Sequence, residues 1–141
     1  MTSVYLDELQ PGMSATTQHT VTERDVQLFG EATGDMNPVH FDEEYARKTI
    51  FRGRIAHGVL CLSYMSTVLG MKMPGPGTIF MSANSRFKAP VRIGDTVITT
   101  CTVREVVPEK RRVLFDCICK VGDTVVVEGE ALVMPPTRPK G

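Results

Sequence analysis

The second half of the chain alternates apolar and polar residues with a period of two, which is the pattern of half-buried β-strands. Four such segments occur, and turns rich in Gly, Asp or Pro separate them. They run over residues 79–87, 97–103, 113–121 and 125–133. A Thr-rich segment at residues 13–21 is a further extended candidate. The pattern therefore predicts one strand near the N-terminus and four long antiparallel strands in the second half.

Two helices are predicted between the first strand and the centre of the chain. Thr22 and Asp25 have the spacing of a helix-capping pair, and Gly34 is a residue type that commonly ends a helix. A second, short helix is predicted over residues 43–49, with Asp42 as its N-cap. The polar residues just after Gly34 therefore lie in a connection between two helices.

A third helix is predicted over residues 57–69, and Gly70 is expected to end it. Its apolar residues cover nearly every face, so we expect the rest of the protein to surround it. An apolar helix about 20 Å long that precedes four antiparallel strands predicts an α+β domain with a curved sheet around one central helix. Such a sheet has two edge strands, and an uncovered edge pairs readily with a second copy. We therefore expect a homodimer.

Length and composition indicate one globular domain. The 141 residues are 42% hydrophobic and 23% charged, close to the globular average. We assign residues 1–134 to a single domain and expect the Pro-rich residues 135–141 to form a flexible tail. The net charge is zero and no basic block is present, so we expect no nucleic-acid partner. No segment has the length and apolarity of a membrane span or a signal peptide, so we expect no membrane association.

The four cysteines indicate a reducing compartment. Each lies in an apolar periodic segment, which predicts buried free thiols and a cytoplasmic location. Cys117 and Cys119 lack the spacing of a metal-binding pair, so we expect no cysteine metal site.

Residues 33–40, Thr-Gly-Asp-Met-Asn-Pro-Val-His, contain a carboxylate and an imidazole five positions apart. On a continuous helix or strand, Asp35 and His40 would point in different directions. Pro38 has no backbone N–H and pushes Asn37 towards an extended conformation, so the chain turns and can bring the pair together. Asn37 either holds Asp35 by a hydrogen bond or is an ordinary turn residue. We interpret the segment as a candidate acid–base pair.

Three segments in this order resemble the MaoC-like (R)-specific enoyl-CoA hydratases, which have the hot-dog fold. They are residues 34–40, residues 56–58 (Ala-His-Gly) and residues 87–95 (Phe-Lys-Ala-Pro-Val-Arg-Ile-Gly-Asp). The resemblance implies a hot-dog domain, usually dimeric, that adds water reversibly to trans-2-enoyl-CoA and gives (R)-3-hydroxyacyl-CoA. It implies no metal or redox cofactor, because the coenzyme A thioester is the substrate.

The resemblance also implies roles for particular residues. Asp35 and His40 match the catalytic pair, and we expect them to hold one water. We interpret Asp35 as the acid–base group and His40 as the partner that orients the water and shares the proton, although the sequence leaves the proton acceptor open. Gly58 matches the residue whose N–H is the oxyanion donor. An N–H at the start of a helix has no intrahelical partner and can therefore bind an oxyanion. The alternative is that Gly58 only permits close packing. Ser66 matches a serine near the pair, although such a hydroxyl often bonds the carbonyl four residues back. His57 is interpreted as structural.

Basic residues in and after the segment 79–87 are candidates for the coenzyme A phosphates. Arg86, Lys88 and Arg92 can form charge-assisted hydrogen bonds with phosphate oxygens. Alternating charges also occur on the outer face of any solvated sheet, and this alternative stays open.

Other functions remain as alternatives. The same chemistry would serve an acyl-carrier-protein thioester or a branched dicarboxylic coenzyme A substrate, and a non-catalytic acyl-CoA-binding module is also compatible with the fold. A hot-dog thioesterase is disfavoured because no carboxylate lies between His57 and Gly70. A metal hydrolase built from Asp35, His40, Asp42 and His57 is disfavoured because the residues lack helical ligand spacing. Acyl length, direction and pathway are left open.

Overall fold

The computed structural model describes residues 2–139. The first half of the chain contains a 3-10 turn (Leu6–Glu8), one strand, β1 (Ser14–Thr20), and three helices, α1 (Glu23–Thr33), α2 (Pro38–Phe41) and α3 (Glu43–Arg47). The central helix α4 (Gly58–Thr67) follows and continues into a π-helical turn (Val68–Lys72). The second half contains the strands β2 (Ile79–Phe87), β3 (Thr96–Val107), β4 (Arg112–Val121) and β5 (Thr124–Met134), with a second 3-10 turn (Pro108–Lys110) between β3 and β4. Within residues 2–139, none of the helices is long and apolar enough to cross a membrane.

The five strands form one antiparallel sheet in the order β1-β3-β4-β5-β2. Alternate residues of β4 are buried on one face, where they meet α4; they are Val113, Phe115, Cys117 and Cys119. All five predicted strands are present, and the predicted α+β architecture of a sheet around a central helix is confirmed. The edges of the sheet are β1 and β2.

The central helix differs from its prediction in two ways. One face packs into the core through residues such as Met65 and Leu69, but Val59, Ser63 and Ser66 on another face are exposed. The helix is therefore not surrounded. It also continues past Gly70, because the chain winds into a π-helical turn in which the N–H of residue 73 donates to the carbonyl of residue 68 at 3.0 Å.

The four cysteines are free and buried, as predicted. Burial raises the pKa of the Cys61 thiol to about 12, so this thiol stays protonated. The Cys119 thiol lies 3.3 Å from the Thr99 hydroxyl inside the core. A protonated, buried thiol is unreactive. We therefore interpret these cysteines as packing residues of the core.

The predicted capping of α1 is confirmed. The Thr22 hydroxyl accepts a hydrogen bond from the Asp25 N–H at 3.1 Å, and the Asp25 carboxylate accepts one from the Thr22 N–H at 2.9 Å. The same carboxylate lies 2.8 Å from the His19 ring, which ties β1 to α1. Gly34 ends the helix with φ +81°, a conformation that glycine adopts without a steric penalty. Both ends of the helix that precedes Asp35 are therefore fixed.

The C-terminal segment requires a correction. Pro135 is buried, and the Arg138 guanidinium donates two hydrogen bonds to Asp7, at 3.0 and 3.1 Å. It also lies 4.8 Å from the centre of the Tyr5 ring. The expectation that residues 135–141 do not pack is therefore wrong for residues 135–138, and residues 140 and 141 lie outside the described part of the chain.

We predict that Thr22→Ala lowers the free energy of unfolding by about 1 kcal/mol, because the Asp25 N–H loses its cap. Urea denaturation followed by circular dichroism measures the change. Thr22→Ser keeps the hydroxyl and serves as the matched control, with an expected change below about 0.5 kcal/mol. Equal losses in the two variants would contradict the capping role.

Candidate active site

The candidate acid–base pair lies between α1 and α3. Asn37 is the N-cap of α2, and Pro38 is its first residue, a position where the missing N–H costs nothing. His40 therefore lies on a short helix rather than in an irregular connection, which corrects the sequence expectation. Four residues are too few to show helical periodicity, so the sequence pattern could not reveal this helix.

Asn37 contributes to the bend through two different groups. Its backbone N–H donates to the Asp35 carboxylate at 3.3 Å, and its side-chain oxygen accepts from the Val39 N–H at 3.2 Å. The Asp35 N–H in turn donates to the Thr33 hydroxyl at 3.1 Å. Asn37 therefore has both of the roles that the sequence left open. Its backbone N–H holds the Asp35 carboxylate, and its side chain caps α2 in the way of a turn residue.

The surroundings of His40 fix its tautomer. Its Nδ1 lies 2.9 Å from the carbonyl oxygen of Ile55, and a carbonyl can only accept, so Nδ1 carries the hydrogen. The Nε2 atom is therefore the unprotonated nitrogen of the neutral ring. Burial lowers the pKa of His40, and the Ile55 hydrogen bond opposes that effect only in part. His40 is thus neutral near pH 7 and able to accept a proton at Nε2.

His57 makes the reciprocal contact. Its Nε2 lies 3.0 Å from the Asp35 carbonyl oxygen and donates to it, while its ring stacks on that of His40 with centroids 3.9 Å apart. The ring of Phe29 covers it at 4.7 Å, and only 1% of His57 is exposed. The segment around Asp35 and the segment before α4 are therefore held together by one histidine from each.

One side-chain ligand atom from each of Asp35, His40 and His57 lies within 4.8 Å of the others. Asp35 and His40 share no direct hydrogen bond among the contacts of residues 2–139, and the gap is one that a single bridging water spans. The rings of His40 and His57 are inclined by 30° to each other, and His57 uses its Nε2 on the Asp35 carbonyl, so only its Nδ1 carries a lone pair. Asp42 caps α3 instead of joining this cluster.

Arg54 contacts the same cluster, and sequence patterns did not identify it. Its Nε donates to the His40 carbonyl at 2.7 Å, and its two terminal nitrogens donate to the Glu23 carboxylate at 3.0 and 2.7 Å. These partners are 14 and 31 positions away in the chain, so no local spacing could have indicated them.

A groove of about 430 Å³ opens beside the start of α4. Gly58, the first residue of α4, lines it and is exposed. A Cβ at this position would lie 2.9 Å from two ring carbons of Phe87, so only glycine permits this approach. The remaining lining residues include Phe51, Ile55, Ala56, Val59, Lys88 and Pro90.

Ser66 is not brought to the pair within this chain. It lies on α4 eight residues after Gly58, roughly 12 Å along the helix, and its side chain is exposed. No hydrogen bond of Ser66 to Asp35 or His40 occurs among residues 2–139. The expectation of a buried hydroxyl is therefore wrong for the single chain, while the place of Ser66 near the pair stays a prediction.

The three candidate phosphate contacts occupy different places. Lys88 lines the groove and is half exposed, whereas Arg86 lies in a separate surface depression with Glu128. Arg92 donates to the backbone carbonyls of Phe51 and Arg54 at 2.5 and 3.3 Å. The structure thus gives Arg92 a role in holding that loop, and it brings Lys88 alone of the three to the groove.

Comparison with known proteins identifies similar chains. The family model described as "MaoC like domain" matches residues 8–121. An (R)-specific enoyl-CoA hydratase from Rhodospirillum rubrum is 48% identical over 95% of this chain and 93% of its own length. A 3-hydroxybutyryl-CoA dehydratase from Methylorubrum extorquens is 44% identical over 96% of this chain and 86% of its own. The solved structure of an unliganded R-hydratase from Pseudomonas aeruginosa is 39% identical, with a TM-score of 0.87 over 96% of this chain and 88% of the other.

We predict that His40 titrates below the ordinary histidine pKa of about 6.5, because its charged form is desolvated. The folded protein then binds the proton less readily than the unfolded chain, so His40 costs stability as pH falls below about 6.5. Histidine ring resonances followed by NMR against pH measure the midpoint, with His40→Gln identifying the signal. A midpoint at or above that of the urea-unfolded protein would contradict this prediction.

Proposed function

Because this chain belongs to the MaoC-like domain family, we propose that it catalyses the reversible (R)-specific hydration of trans-2-enoyl-CoA to (R)-3-hydroxyacyl-CoA. The similarity to proteins named (R)-specific enoyl-CoA hydratase and 3-hydroxybutyryl-CoA dehydratase supports the proposal, because these names describe the two directions of one reaction. The enzyme is therefore a hydro-lyase. The observation that carries the mechanism is the tautomer of His40, whose Nε2 is unprotonated, together with the short separation of the pair: a ring nitrogen of His40 lies within 4.8 Å of an Asp35 carboxylate oxygen.

In the proposed mechanism, Asp35 and His40 hold the attacking water. The pair removes one proton from the water as its oxygen bonds to C3 of the enoyl thioester. The π electrons move towards the thioester oxygen, and C2 then receives a proton from the pair. One proton is taken and one is returned, so the pair ends in its starting state. The neutral ring of His40 favours Nε2 as the first acceptor, and the Asp35 carboxylate orients the water and stabilises the imidazolium that forms.

Gly58 supplies the proposed oxyanion donor. Its N–H belongs to the first residue of α4, where it has no intrahelical acceptor and lies at the positive end of the helix dipole. It lines the groove and directly follows His57, which stacks on His40. A thioester oxygen bound at this N–H would place the reacting carbons beside the Asp35–His40 pair.

We assign the groove beside Gly58 to the pantetheine arm of the substrate, and Lys88 at its rim to a coenzyme A phosphate. Lys88 is half exposed and lies 3.6 Å from Glu128, a loose pair that a phosphate can replace. A redox cofactor has no part in the proposed scheme, because hydration involves no net oxidation, and no step of the scheme is assigned to a metal. Buried free thiols support a cytoplasmic location.

We further propose a homodimer formed through β2. This edge strand is exposed along almost its whole length, and it carries Ile79, Phe80 and Met81. The exposed face of α4 with Val59 adds apolar surface. Unpaired strand edges with apolar side chains pair readily with a second copy. Ser66 lies on that same face of α4, so a dimer formed there would bury it.

We predict that the purified protein hydrates crotonyl-CoA without added metal, measured by the loss of the ultraviolet absorbance of the enoyl thioester. Asp35→Asn and His40→Gln should each lower kcat by at least about a hundredfold, because each removes one side of the proton transfer. Asp42→Asn removes a nearby carboxylate outside the pair and is the matched control, with kcat expected to change little.

Chiral analysis of the product tests the second part of the proposal. An (S)-3-hydroxyacyl product would overturn the assigned stereochemistry. A protein that binds acyl-CoA but hydrates no enoyl-CoA of any length would be a binding module instead. Turnover of the acyl-carrier-protein thioester in preference to the coenzyme A thioester would replace the proposed carrier.

We predict a particle of twice the 15.5 kDa chain mass in sedimentation equilibrium. Met81→Glu should shift the distribution towards the monomer, because it places a charge on the exposed face of β2. Ile50→Glu changes a residue that is 89% exposed in a loop and serves as the control, with no expected shift. A monomeric wild type at micromolar concentration would refute the dimer.

A further inference from the structure

We infer that Arg54 and Glu23 are positioning residues for the Asp35–His40 pair: Arg54 holds the main chain of His40, and Glu23 fixes the orientation of the Arg54 guanidinium. The inference rests on the proposed function, since the expected consequence is a change in the rate of that reaction. Neither residue touches the reacting atoms in the proposed mechanism.

The guanidinium of Arg54 uses three of its nitrogens in this arrangement. Its Nε donates to the His40 carbonyl at 2.7 Å, and its Nη1 and Nη2 donate to the two Glu23 oxygens at 3.0 and 2.7 Å. The Arg54 side chain is only 18% exposed. A guanidinium is planar, so binding of both terminal nitrogens also fixes the direction in which its Nε–H points. Glu23 therefore determines where Arg54 points its hydrogen bond.

Residues 54 and 55 together hold both parts of His40. The Arg54 side chain binds the His40 carbonyl, and the Ile55 carbonyl accepts the hydrogen of His40 Nδ1 at 2.9 Å. The Ile55 N–H adds a third bond, to the Val39 carbonyl at 3.3 Å. The direction of His40 Nε2 depends on the main chain and the ring together, so loss of the Arg54 contact removes one of the bonds that fix this direction.

The same ion pair reaches the Asp35 side of the site. Glu23 is the first residue of α1, and Asp35 follows the end of this helix after Gly34. An α-helix of eleven residues is about 16 Å long and moves as a unit. The bond between Glu23 and Arg54 therefore ties the start of the helix that carries Asp35 to the main chain of His40. The distance between the two members of the pair depends on this link.

Arg54 also acts on the charge state of His40. Burial is the main cause that lowers the pKa of His40, and the positive charge of Arg54 makes the smallest contribution, in the same direction. The other titratable neighbours are His57, which also lowers the pKa of His40, and Asp35, which raises it. Removal of the Arg54 charge therefore raises the pKa of His40, so the ring becomes protonated at a higher pH.

Steady-state hydration of crotonyl-CoA by the full-length chain tests the inference with Arg54→Gln, Arg54→Lys and Glu23→Gln. We expect Arg54→Gln to lower kcat about tenfold, which corresponds to one charge-assisted hydrogen bond, with KM changed less than about twofold. Arg54→Lys keeps the charge without the planar fork and should lie between it and wild type. Glu23→Gln should lower kcat about threefold, since Arg54 keeps its bond to His40 but loses its anchor.

Arg138→Gln is the matched control. Arg138 also forms a two-point pair with a carboxylate, that of Asp7, but it joins the two terminal segments of the chain and has no contact with the site among residues 2–139. Its kcat should equal that of wild type. A comparable loss in Arg138→Gln would show that any such ion pair supports activity through general stability, and it would overturn the inference.

The pH dependence distinguishes positioning from a merely structural role. The rate falls at low pH because protonated His40 cannot accept a proton, so kcat/KM has an acidic limb. Arg54→Gln should move this limb to higher pH, whereas Arg54→Lys and Arg138→Gln should leave it in place. The NMR midpoint of His40 should rise in Arg54→Gln in the same way, and this measurement needs no substrate.

These measurements separate the inference from the proposed function. A wild type without hydratase activity would overturn the proposed function, while the NMR midpoint of His40 would still decide whether Arg54 acts on it. Equal kcat in Arg54→Gln and wild type, or a His40 midpoint that does not rise, would overturn the inference. If Arg54→Gln does not fold by circular dichroism, Arg54→Lys and Glu23→Gln decide the kinetic question, since Arg54→Lys keeps the positive charge at the buried position and Glu23→Gln changes a side chain that is 60% exposed.

Discussion

Two reciprocal hydrogen bonds from buried histidines hold the site together. His40, on α2, donates to the Ile55 carbonyl, and His57, just before α4, donates to the Asp35 carbonyl. The segment after α1 and the segment before α4 thus each donate one histidine hydrogen bond to the other. The two rings stack on each other where the segments meet. Both imidazole rings are buried, and a buried N–H must find an acceptor. The need to satisfy these two ring N–H groups therefore fixes both the bend after α1 and the approach of the chain to α4.

This crossing also separates the environments of the two candidate acid–base groups. His40 is 7% exposed and pressed against another imidazole, so its charged form is disfavoured and its pKa lies below the ordinary value. The Asp35 carboxylate is exposed and accepts a hydrogen bond from the Asn37 N–H. The candidate proton acceptor, His40, is therefore buried, whereas the carboxylate of Asp35 is solvated. Such a difference in environment lets two neighbouring groups take different acid–base roles in one site.

The sequence was sufficient for those features that depend on neighbours in the chain. Period-two alternation located the strands, the spacing of Thr22 and Asp25 located the start of α1, and Pro38 indicated the bend. Features that depend on distant partners could not be found in this way. Arg54 meets residues 14 and 31 positions away, and Arg138 folds back on Asp7, 131 positions away. The exposure of Ser66 is a further case, since helical periodicity alone does not say which face of α4 the sheet covers.

The exposed face of α4 connects the site to the assembly of the protein. Gly58 begins this helix and lines the groove, and the exposed residues Val59 and Ser66 follow on the same helix towards its other end. The proposed oxyanion donor and the uncovered surface are thus parts of one rigid element, because backbone hydrogen bonds link successive turns of a helix. A second chain that packed on this face would fix the position of α4, and with it the Gly58 N–H relative to the Asp35–His40 pair. Association and catalysis would then depend on the same helix, whose buried face is already held by the sheet.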